Sequence, residues 1–154
     1  MLATLLREET VAVEALAQQL RCEYEVLKTR DAPELEQILR EKLVCADQLR
    51  KLIAARLDFL RDQGFAADRQ GFIAYIAAVS PDTRSVLSTL AVELENAAEQ
   101  ARNQNEINGA VIAASRSYIE RALTILSGRD PLDCLYDQGT RKIFSGGHTP
   151  IAKA

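Results

Sequence analysis

The chain has 154 residues, enough for one domain with a substantial core. Only 5% are aromatic and Trp is absent, while Leu, Ala, Glu, Gln and Arg are abundant, which favours long helices over a sheet. A formal net charge of -3 excludes a general nucleic-acid binder, because phosphate neutralisation needs a cationic surface.

The opening MLATLLREET brings Glu8 and Glu9 where a signal peptide needs a positive start and an unbroken apolar core. No run approaches the roughly 18 to 20 apolar residues that stable membrane insertion requires, so the expected location is the cytoplasm. From Leu2 to about Thr29 there is neither Pro nor Gly, and Leu6, Val13, Leu20 and Leu27 recur every seventh residue, with Leu2 and Leu16 in the adjacent row. The spacing predicts one amphipathic helix over 2–29. Asp31 is placed to cap a second helix, with Glu34 three residues on in capping-box position.

That second helix is expected over 32–63. Leu39, Ala46, Ile53 and Leu60 form one row, Ile38, Cys45, Leu52 and Phe59 the row beside it, and Gly64 is its stop. A short third helix over 69–79 follows Asp68. Ser80-Pro81-Asp82 then restarts the chain with a cap, a proline for the first turn and an acid near the helix N-terminus.

Asn108-Gly109 sets two rules against each other, since Asn-Gly is a strong turn signal yet lies inside a helical pattern. One row runs Leu87, Leu94, Ala101, Asn108, Ser115, Ala122, and a companion row Ala91, Ala98, Asn105, Ile112, Ile119, Leu126. Both cross Gly109 in phase, which a turn would have no reason to preserve, so one helix over 81–127 is expected. It would span roughly 70 Å at 1.5 Å per residue and outrun the first two helices. The expected fold is all-α: an elongated antiparallel three-helix bundle or coiled coil over 1–128 with one extra short helix, then a flexible C-terminal tail over 129–154.

His148, the one histidine, lies in that tail, so a carboxylate-histidine metal site in the bundle is excluded, and no metal or other cofactor is expected. Cys22, Cys45 and Cys134 form no close pair and suggest neither a disulfide framework nor a zinc knuckle. Asn105 and Asn108 fall on the seam. Either they fix register, as buried Asn does in coiled coils, or with Gly109 they mark where the bundle ends and a partner approaches. Beyond them Ile112, Ile119, Leu123 and Leu126 form an aliphatic stripe, either covered by the first two helices or open as a partner groove. In the tail, Leu135, Tyr136, Ile143 and Phe144 are apolar residues in an otherwise weakly patterned segment.

The order Asn103-Gln104-Asn105-Glu106-Ile107-Asn108-Gly109, an aliphatic helix, then Leu135-Tyr136-Asp137-Gln138-Gly139, resembles the FlgN-type flagellar export chaperones. The second helix, with Glu41-Lys42, Leu43, Leu49, Leu52 and Arg56, is similar to the middle helix of that family. The resemblance implies a cytoplasmic, non-enzymatic chaperone whose clients are the hook-filament junction proteins FlgK and FlgL, held by their helical terminal segments and delivered to the export gate. It implies gate contact through Leu135 and Tyr136 and a family motif at Asn105, Asn108 and Gly109, while the stripe of Ile112, Ile119, Leu123 and Leu126, where the last helix outruns the first two, is the expected client contact. A coiled-coil scaffold or self-associating bundle with no export role is the alternative.

Overall fold

In the computed structural model, which describes residues 1–126, the chain forms helices α1 (Leu2–Thr29), α2 (Ala32–Asp62), α3 (Arg69–Ala78) and α4 (Pro81–Leu126), with no strand among the described residues. The described residues divide within α4 into two units, 1–112 and 113–126.

Local chemistry sets the helix ends. Arg30 closes α1 in the left-handed conformation at φ 59°, its N–H donating to the Val26 carbonyl. The Asp31 carboxylate accepts from the Glu34 N–H at 3.0 Å and satisfies one of the orphan donors at the start of α2. Gly64, at φ 81°, ends α2 in a Schellman arrangement, in which its N–H donates to Arg61 and the Phe65 N–H reaches back to Leu60. Asp68 caps α3 through the Gly71 N–H at 2.8 Å, and Gly71 is obligatory there because a Cβ would overlap the Ala66 backbone. The Arg84 guanidinium donates to the carbonyls of Ile76 and Val79, so the start of α4 covers the end of α3.

Within residues 1–112, α1 and α4 run in the same direction and α2 runs opposite to both. Leu2 and Leu6 pack with Leu87, Leu90 and Phe59, while Val13, Ala17 and Leu20 pack with Ala97 and Ala101. Leu60, Leu6 and Leu87 are the most completely buried leucines, each worth about 1.5–3 kcal/mol of burial. The short α3 closes one end: Phe72, Tyr75 and Ile76 cover the first cluster, and Tyr75 meets Phe59 and Phe65 edge-on with centroids 5.5 and 5.4 Å apart. Ala17 of α1 and Ala97 and Ala101 of α4 contribute the small side chains of the second cluster.

The seam of α4 differs in one respect from its expected form. Leu87, Leu94, Ala101 and Asn108 face the core and Ala91 and Ala98 are half-buried, Ala98 packing on the second cluster, but the adjacent row of Leu90, Ala97 and Gln104 lies deeper than the expected companion row. Leu90 and Ala97 are buried and Gln104 half-buried, whereas Asn105 is exposed. The rows lie one residue apart, about 100° of rotation, and only contact with α1 distinguishes them.

Candidate protein-binding surface

α4 passes through Asn108 and Gly109 without a break. Asn108, 1% exposed, joins three helices. Its Nδ2 donates to the Leu20 carbonyl of α1 at 2.7 Å and to Glu23 Oε2 at 2.9 Å, and its Oδ1 accepts from Gln104 at 3.0 Å. The other Glu23 oxygen accepts from Lys42 of α2 at 2.7 Å. No buried side-chain polar atom is left unpaired among the described residues, so this polar layer avoids the desolvation penalty of an orphaned group. Of the three Asn-Gly positions singled out in the sequence, Asn108 alone is buried; Asn105 and Gly109 face solvent.

A second polar layer lies nearer the α3 end, where buried Glu9 receives Nε and Nη2 of Arg56 at 2.7 and 3.2 Å. Arg56 also stands over the Phe72 ring, 5.8 Å from its centroid. The apolar pattern does not reveal Glu9, Glu23, Lys42 and Arg56, although their heptad spacing is a signal that could have pointed to them. Leu2, Glu9, Leu16 and Glu23 occupy one row of α1, and Leu35, Lys42, Leu49 and Arg56 one row of α2, acids in the first matched by bases in the second.

Asn108 is the last buried residue of α4. Ile112 is 46% exposed, and in the second unit Ile119, Leu123 and Leu126 are 57, 60 and 83% exposed. At 100° per residue these positions share one narrow stripe of the helix. Tyr118 and Ile125 are exposed as well, widening the apolar arc to nearly half of the circumference. An exposed Arg116–Glu120 ion pair, 2.8 Å long and one turn apart, supports the helix beside it. Five large apolar side chains exposed within Tyr118–Leu126 are far more than scattered surface residues require, and a surface of this kind suits another amphipathic helix. Leu135 and Tyr136 lie outside the described residues.

A shallow groove of about 530 Å3 runs between α1 and α4, floored by Ala17 and Ala97 and rimmed by Glu14, Arg21, Glu93 and Gln100. Its open, polar form holds no convergent set of catalytic groups. No helix among the described residues is long and apolar enough to cross a membrane.

The described residues thus define a helical-bundle protein with an exposed aliphatic helix face. The family profile described as FlgN protein matches residues 1–138, and the chain belongs to the FlgN family. A crystal structure of a protein described as a flagella synthesis protein FlgN, from Pseudomonas aeruginosa, is similar at 28% identity and a TM-score of 0.61, over 71% of this chain and 84% of that one. No curated protein sequence matches the chain. Family membership supports a role as a flagellar export chaperone with flagellar protein partners.

Proposed function

We propose that this chain holds the helical terminal segments of FlgK and FlgL against the α4 stripe of Ile112, Ile119, Leu123 and Leu126, and brings them to the export gate through Leu135 and Tyr136. The observation that carries the proposal is the aliphatic exposure of α4 in a chain of the FlgN family. An unpaired amphipathic client helix would lay its apolar face on that stripe and gain the neighbour it lacks. Covering on the order of 1,000 Å2 of apolar surface is nominally worth about 25 kcal/mol. Ordering the client offsets most of it, which leaves a complex that can be reversed at the gate. The work is done in the cytoplasm, before export, and involves no catalysis.

The test separates capture from delivery. Ile119→Asp with Leu123→Asp should abolish binding of FlgK and FlgL terminal segments in titration calorimetry while circular dichroism stays helical. A folded double variant that binds as the parent does would move the client surface elsewhere. Tyr136→Ala should leave that binding intact and lower client export in a motile strain; loss of binding instead would assign Tyr136 to the client surface.

A further inference from the structure

Glu9 and Glu23 occupy core-facing heptad positions that leucine would fill without burying a charge, and each is met from α2 by a cation: Arg56 at 2.7 Å and Lys42 at 2.7 Å. The side chains of Glu9 and Glu23 are 5 and 2% exposed, those of Arg56 and Lys42 19 and 24%. Both pairs are symmetric about Ala32-Pro33, and Leu16 and Leu49, packed on the second core cluster, occupy the intervening layer by the same symmetry. Charged and apolar layers thus alternate along the α1–α2 contact.

These ion pairs are not needed to set the register of the hairpin. Only Arg30 and Asp31 separate the two helices, both engaged in capping bonds, so a slip of one heptad would unwind the turns on either side. Nor do buried pairs generally stabilise more than an apolar layer of similar volume. What matched charges do discriminate is the partner. Against a uniformly apolar helix, α1 would bury two carboxylates without cations, and α2 would bury Lys42 and Arg56 without acids.

We propose that Glu9–Arg56 and Glu23–Lys42 are specificity layers that keep α1 and α2 paired with each other and exclude foreign apolar amphipathic helices from the core of residues 1–112. Asn108 extends the second layer to α4 through its bond to Glu23. Such protection suits a protein that handles amphipathic helices, yet it concerns the hairpin alone and holds whether or not α4 takes clients.

The probe is a fluorescent 28-residue peptide with the α1 sequence, carrying Glu9→Leu and Glu23→Leu. It is incubated with the full chain and with a full chain bearing Glu9→Leu, Glu23→Leu, Lys42→Leu and Arg56→Leu. Both chains also carry Ile119→Asp and Leu123→Asp, which removes capture at the α4 surface from the comparison. The four-leucine chain should remain helical by circular dichroism and capture about tenfold more peptide or more, the scale on which one mismatched buried contact acts. Equal capture by the two chains would overturn the proposal. If the four-leucine chain loses helicity, Glu9→Leu with Arg56→Leu alone is compared in the same way. Equal capture there, or loss of helicity in that variant too, makes the pairs stability elements and overturns the selective role.

Discussion

At Asn108 a residue with strong turn and cap preferences is held in mid-helix because its side chain is satisfied by α1 and by the Gln104 side chain, and not by its own backbone. Asn108→Ala removes the donor from both the Leu20 carbonyl and Glu23 while Lys42 keeps its bond to Glu23. Leaving those acceptors short should lower stability by about 1–3 kcal/mol in urea denaturation; an unchanged midpoint would show that the layer contributes nothing. This role was only half legible in the sequence. The heptad placed both Asn105 and Asn108 on the seam, but only Asn108 stands where the Leu20 carbonyl and Glu23 of α1 can accept from it.

Among the helices, sequence and structure agree most closely where ends are set by local chemistry: Asp31 and Asp68 cap, Gly64 stops, Pro81 starts. Gly64 and Gly109 separate two uses of one residue type. Gly64 is at φ 81° and Gly109 lies within α4, and added Cβ atoms would meet nothing within 4 Å at either. Gly109→Ala should therefore raise the thermal midpoint, with a gain of about 0.8–1.0 kcal/mol from helix propensity. Gly64→Ala should lower it, by about 1–2 kcal/mol for a side chain forced into the left-handed region. Thermal unfolding of the two variants side by side reads the signs; two shifts of the same sign would contradict this account. In the sequence Gly109 was readable as helical because the pattern keeps phase across it.

Over the molecule, stability is expected to be uneven along α4. Leu87, Leu90, Ala97, Ala101 and Asn108 are its buried residues, and none follows within the described residues. Amide protons from Leu90 to Asn108 should exchange more slowly than those from Ile119 to Leu126 in hydrogen-exchange mass spectrometry, since local opening there exposes little further apolar surface. Equal protection would mean that the second unit is as well covered as the first. Raising the salt concentration should change the midpoint little, because Glu25–Lys28, Glu36–Arg40 and Arg116–Glu120 are exposed pairs of small worth, while Glu9–Arg56 and Glu23–Lys42, with buried carboxylates and partly buried cations, are screened much less.

By itself the sequence determined the four helices, the start of each, the all-α class and the aliphatic character of Ile112, Ile119, Leu123 and Leu126, because each follows from short-range propensity, capping and period. Only the tertiary structure decided which of two adjacent rows of α4 faces α1, that Glu9 and Glu23 are buried with Arg56 and Lys42, and that Asn108 and not Asn105 joins the three helices. Those outcomes depend on where a neighbouring helix lies within about 100° of rotation, and on the partners that make a buried charge tolerable, both of which arise only when the helices meet.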